Sequence, residues 1–113
     1  MHDLTTPGSG LLVTAPVVAE LAMGARSDGR EQDLREALAA FPQLRFRGRR
    51  DLDAGASIYR TCRRAGITPG GLLDCTIAAI AMRHDAALLT GDIGQARIGQ
   101  VMPLRLDPAS VRP

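Results

Sequence analysis

Three carboxylates, Glu20, Asp74 and Asp92, stand where alternating strands and helices would bring acids toward one crevice. Asp92 follows by two residues a short apolar run ending at Thr90, and Asp74 opens the apolar segment Leu72 to Met82. Glu20 lies about a turn and a half into the helix expected after Leu11 to Thr14. In open parallel sheets, ligands bind beyond the carboxyl ends of the strands, so acids placed there carry more weight than acids elsewhere. Carboxylates converging on one crevice repel one another unless a divalent cation sits among them. Magnesium-dependent nucleases use that arrangement to orient and activate water against a phosphodiester.

Each acid also has a structural reading. Asp74 can complement the positive end of a helix, Glu20 can be a solvated residue at the edge of an apolar stripe, and Asp92 can be a turn residue after Gly91. Asp74 is the hardest to explain in this way. Leu72, Leu73, Cys75 and Ile77 surround it with apolar surface, where an uncompensated carboxylate is costly.

The elements that must position these acids can be read from periodicity and punctuation. Residues 1 to 10 have no periodicity and read as an irregular lead-in. Leu11 to Thr14 is the first strand, and Pro16 suits the first turn of a helix from Ala15 to Ala25, with Val17, Val18, Leu21 and Ala25 on one face. After the polar break at Ser27, Asp28 and Gly29, a helix from Arg30 to Ala40 carries Leu34, Ala37 and Leu38, and Pro42 stops it. Leu44 to Phe46 is a brief strand. Asp51 opens the next helix, with Leu52, Gly55, Ile58, Tyr59 and Cys62 on one arc and Arg60, Arg63 and Arg64 on another; Gly66 ends it.

Beyond the Pro69-Gly70-Gly71 turn, Leu72 to Met82 is apolar nearly all round, which marks a buried helix. Ala86 to Thr90 is a strand, Ile93 to Ile98 a short helix and Leu104 to Leu106 an edge strand. The alternation predicts an α/β sandwich with a mainly parallel central sheet flanked by helices, in one domain spanning 11–113.

Composition agrees with a single folded domain: 45% of the 113 residues are hydrophobic and 23% charged. No apolar run approaches the length needed to span a bilayer, and Met1 to Gly10 lacks the basic start and apolar centre of a signal peptide, so the expected location is the cytoplasm. Cys62 and Cys75 have no metal-knuckle spacing and read as reduced core residues. His84 reads as a partner for the last carbonyls of a helix, and His2 lies in the lead-in. All 14 basic residues are Arg. That usage fits phosphate recognition by Arg60, Arg63 and Arg64, joined by Arg45, Arg47, Arg49 and Arg50, but equally a solvated face or a GC-rich genome. With aromatics limited to Phe41, Phe46 and Tyr59, RNA binding would rest on phosphate contacts rather than base stacking.

The segments Val17-Val18-Ala19-Glu20-Leu21, Gly24-Ala25-Arg26, Gly66-Ile67, Asp74-Cys75-Thr76-Ile77-Ala78-Ala79 and Leu88-Leu89-Thr90-Gly91-Asp92 together resemble PIN-domain toxins of bacterial VapBC systems, over roughly residues 11 to 106. The resemblance implies a magnesium- or manganese-dependent endoribonuclease that cuts structured RNA, tRNA or rRNA, to 5′-phosphate and 3′-hydroxyl products and so inhibits translation. It implies Asp74 and Asp92 at the metal with Glu20 assisting, Thr90 orienting a ligand or water, a VapB-type antitoxin as partner, and a homodimer.

Two departures accompany it. The family begins with a central strand ending in Asp, and nothing in residues 1 to 10 supplies it: Asp3-Leu4-Thr5-Thr6 mimics the Asp-Thr pair without the apolar run. The expectation is a domain whose first strand is absent, through a late-assigned start or decay. The second departure is Gly94, where many relatives carry another Asp, followed by Phe where this chain has Gln95. The alternative to the toxin is a degenerate, inactive PIN module that binds antitoxin or RNA. A response-regulator receiver, also α/β with acids at strand ends, needs a Lys that this chain lacks.

Overall fold

The structure, a computed structural model, describes residues 3–6 and 10–113. The first expected strand lies within β2 (Gly10–Thr14), which runs directly into α1 (Ala15–Met23). Pro16 falls in the first turn of α1, where its missing N–H breaks no intrahelical bond. Ser27 caps α2 (Asp28–Ala39) by accepting the Arg30 N–H at 3.2 Å, and Asp28 and Glu31 add negative charge at the positive end of the helix. β3 is only Gln43–Leu44, and α3 (Gly48–Arg64) begins three residues before Asp51, the residue expected to open it. There follow α4 (Leu72–Arg83), β4 (Ala87–Leu89), α5 (Ile93–Arg97) and a 3-10 turn at Ile98–Gln100.

The sheet order is β3-β2-β1-β4, where β1 is Asp3–Thr6. This corrects the reading of residues 1 to 10 as an irregular lead-in, of which positions 1, 2 and 7–9, including His2, lie outside the described residues. β1 pairs antiparallel with β2 (Leu4 opposite Leu12) and with β4 (Leu4 opposite Leu88). β2 and β4 therefore run the same way, and β3 is parallel to β2. The slot between β2 and β4, where a central strand was expected to be absent, holds β1 in the opposite sense. The expected edge strand at Leu104 to Leu106 contracts to one parallel bridge, Leu88 to Leu106, flanked by Leu88 N–H to Arg105 O and Asp107 N–H to Leu88 O, both 2.8 Å.

The core lies between α3, α4 and the sheet. As its all-round apolar pattern requires, α4 buries every residue from Cys75 to Ala81, and Ile77 and Ile80 meet Val17, Ile58, Cys62, Leu88 and Ile98. Each fully buried Ile contributes roughly 1.5–3 kcal/mol. The buried arc of α3 differs from the expected one: Asp51, Gly55, Ile58 and Cys62 turn inward, whereas Leu52 and Tyr59 remain 39% and 38% exposed. The reason is the closeness of the helix crossing. A Cβ on Gly55 would lie 2.5 Å from Thr76 Oγ1 and 2.8 Å from its backbone N, so only glycine fits there, and Gly55 fixes which face of α3 meets α4.

Candidate active site

The carboxyl end of β4 builds one half of the site. Thr90 is buried, and its backbone is held on two sides by the C-terminal segment: its N–H donates to Ser110 Oγ at 3.1 Å and its carbonyl accepts the Val111 N–H at 3.0 Å. Ser110 Oγ also donates to the Leu88 carbonyl at 3.0 Å. Thr90 Oγ1 in turn accepts the Asp92 N–H at 3.0 Å. Asp92, half-buried, caps α5, its Oδ1 accepting the Gln95 N–H at 2.9 Å.

The first turn of α4 builds the other half. Asp74 is half-buried there, after the loop Pro69-Gly70-Gly71, in which Gly70 has φ +89°. The Gly70 loop lies against Asp74 and, through Gly94, near Asp92. A Cβ on Gly70 would be 2.6 Å from Asp74 Oδ2, and a Cβ on Gly94 would be 3.1 Å both from Asp92 Oδ1 and from Gly70 N. Gly94 is thus explained by space: a side chain there would press on the loop that carries Asp74. The two halves are joined by Gln95, fully buried, whose Nε2 donates to the Asp74 carbonyl at 3.1 Å.

Glu20 is half-buried on α1, on the helix that leaves the carboxyl end of β2. At that strand end Thr14 is fully buried, and its Oγ1 has no hydrogen-bond partner. Register also brings the backbone of Asp3 opposite Leu89, one residue before Thr90. Among the described residues, no three His, Cys, Asp or Glu side chains gather closely enough to hold a metal ion, so Glu20, Asp74 and Asp92 do not form a closed three-carboxylate group. Asp74 and Asp92 are hard oxygen donors, and magnesium keeps several of its waters and takes only one or two carboxylates from a protein.

Arg60, Arg63 and Arg64 are exposed on the second half of α3, Arg63 donating to Thr68 Oγ1 at 2.6 Å. Arg60 borders a groove of about 420 Å³ with Ala56, Tyr59, Gly71 and Leu72, next to the turn that carries Asp74. The backbone of the Arg45-to-Arg50 stretch helps to join α3 to α4. The Arg45 carbonyl accepts from Arg83, the Arg47 N–H donates to Asp51, and Arg49 pairs with Asp53 at 3.5 Å on the exposed face. His84 caps α4, its ring Nε2 lying 3.1 Å from Arg83 Nη1. Cys62 and Cys75 are both free and buried; burial, with the neighbouring Cys62 and Asp74 charges, pushes the Cys75 thiol up to about 12.

The sequence reading missed Gln95, Ser110 and the inward turn of Asp51. Only Gln95 had a signal: Asp92-Ile93-Gly94-Gln95 has capping-box spacing. The profile of the family described as PIN domain matches residues 3–101. The chain belongs to the PIN-domain family. Relatives within that family include the VapC ribonuclease Mb1587 of Mycobacterium bovis and ribonuclease VapC11 of Mycobacterium tuberculosis, each 34% identical over 89 residues, covering 79% of this chain. This PIN-domain chain spans 66% of the length of those curated relatives. Among its described residues no helix is long and apolar enough to cross a membrane.

Proposed function

We propose that this chain is the toxin component of a VapBC-type pair, an endoribonuclease that hydrolyses structured RNA, tRNA or rRNA, and so inhibits translation in the cytoplasm. The observation that carries this reading is that Asp74, in the first turn of α4, and Asp92, just beyond β4, both lie near the Gly70 loop. Family membership and the named VapC ribonucleases support the reaction class.

In this mechanism Asp74 and Asp92 would hold a magnesium or manganese ion, and Glu20 would assist from α1, directly or through water. Such an ion would supply positive charge to the scissile phosphodiester and to the attacking water. Thr90 keeps Asp92 in register by accepting its backbone N–H. Arg60, Arg63 and Arg64 neutralise flanking phosphates. Cleavage leaves a 5′-phosphate and a 3′-hydroxyl. The partner is a VapB-type antitoxin, and the active species is a homodimer.

The test is cleavage of total cellular RNA by the purified chain with magnesium, with manganese and with EDTA, alongside Asp74→Asn. Metal-dependent cuts with 5′-phosphate ends that vanish in Asp74→Asn are the expected result. Cleavage that survives EDTA, or that Asp74→Asn leaves intact, removes these acids from the chemistry. A folded chain that cuts nothing under any condition favours the inactive binding module instead.

A further inference from the structure

Gln95 departs from what its own sequence motif asks of it. In a capping box the residue three positions after the cap turns its side chain back onto the cap's backbone N–H. Asp92 does accept the Gln95 N–H through Oδ1, at 2.9 Å, but the Asp92 N–H is already taken by Thr90 Oγ1 at 3.0 Å. The Gln95 side chain is released from that duty and reaches the other way, its Nε2 donating to the Asp74 carbonyl at 3.1 Å. It does so with the residue fully buried, where a hydrogen bond is costly to leave unmade.

One residue thus grips both acid-bearing segments, Asp92 through its backbone and Asp74 through its side chain. We propose that Gln95 is a positioning residue that sets the separation of the Asp74 and Asp92 carboxylates for a divalent cation. The inference rests on the reading of those acids as a metal site, and extends it to a residue that touches neither metal nor RNA. The grip is adjustable only by moving a helix. A Cβ on Gly94 would lie 3.1 Å from both Asp92 Oδ1 and Gly70 N, so the Gly70 loop packs closely against the start of α5. Gln95 therefore acts as the hydrogen-bond partners of metal ligands do, one step further back: it holds the segment that carries the donor group, so its loss is expected to cost metal affinity.

The experiment is manganese titration of the full chain by calorimetry, comparing the unchanged protein with Gln95→Met, which keeps the length and loses the amide, and with Asp74→Asn. Each is measured well below its own melting temperature. The expected result is manganese affinity lower by about 10–100-fold in Gln95→Met and abolished in Asp74→Asn. Abolition in Asp74→Asn with unchanged affinity in Gln95→Met overturns the positioning role and leaves the metal reading standing. Unchanged affinity in Asp74→Asn, or no binding by the unchanged protein, overturns both. Should Gln95→Met fail to fold, the Gln95 side-chain amide protons in the unchanged protein decide the matter by NMR: protection from exchange supports the bond to Asp74, and fast exchange overturns it.

Discussion

Asp51 and Arg83 form a two-pronged ion pair that joins the start of α3 to the end of α4, with Arg83 Nε 3.1 Å from Asp51 Oδ1 and Nη2 2.7 Å from Oδ2. The Asp51 side chain is 1% exposed, and its Oδ2 also accepts the Arg47 N–H at 2.6 Å. Arg83 Nη2 donates further to the Arg45 carbonyl at 2.7 Å. Nearly every bond of the buried charge is thus made, the condition under which such a pair is tolerated.

Removing one partner leaves the other charge buried and uncompensated. Arg83→Met is expected to destabilise the domain by about 3–5 kcal/mol, read as a lower urea midpoint at neutral pH. A midpoint unchanged from the original protein would show that water reaches Asp51 and satisfies it.

The same pair predicts an acid response. Burial raises the Asp51 carboxyl, but the Arg83 hydrogen bond, the Arg47 N–H and the charges of Arg83 and Arg50 outweigh it and hold the carboxyl below its ordinary 3.8. A group lowered in the folded state contributes its stability in full above the unfolded value and loses it as pH falls through the folded one. Asp51→Asn should therefore lose less stability on acidification below that ordinary value than the unchanged protein does. Parallel losses in denaturant titrations across that range would assign acid unfolding to other carboxylates.

Gly55→Ala tests the helix crossing. On an open helix the change would stabilise by up to about 1 kcal/mol, but here the new methyl meets the Thr76 Oγ1, N and Cα at 2.5, 2.8 and 2.9 Å. Overpacking against backbone costs typically 1–3 kcal/mol, so net destabilisation is expected. A raised melting temperature would mean that α3 and α4 separate without strain.

These contacts also show what the sequence could and could not reveal. The run Leu72 to Met82 announced a buried helix because, Asp74 and Thr76 apart, it is apolar all round, and the end of β4 near Thr90 was legible because a strand end has a recognisable sequence boundary. The face of α3 was misjudged in part, with Gly55, Ile58 and Cys62 inward as expected, because hydrophobicity ranks Leu52 and Tyr59 above Asp51, while the close approach to Thr76 and the reach of Arg83 decide the opposite. Those are contacts between residues up to 32 positions apart. Asp3–Thr6 was not recognised as a strand for a related reason: it is specified by pairing to β2 and β4 on both sides rather than by a pattern of its own.

Cys62 and Cys75 should be inert in the folded protein. A thiol reacts as its thiolate, and with Cys75 pushed up to about 12 and Cys62 also raised by burial, almost none forms at mildly alkaline pH. Iodoacetamide should label neither residue in native buffer and both in denaturant, as counted by intact-mass spectrometry. Native labelling of Cys75 would reveal opening of the α3–α4 interface.

On the proposed reading Asp92 has two duties that substitution can separate. Its Oδ1 caps α5, and its charge would help to hold the cation. Asparagine caps a helix about as well as aspartate, whereas alanine in place of such a cap costs about 0.5–2 kcal/mol. Asp92→Asn should thus keep the urea midpoint near that of the unchanged protein, and Asp92→Ala should lower it. Both should lose manganese binding, since a neutral amide is a poor ligand for a hard cation that favours carboxylate oxygen. Loss of binding without loss of stability in Asp92→Asn isolates the charge as the functional element; retained binding in that variant would reduce Asp92 to a helix cap and leave Asp74 to be explained alone.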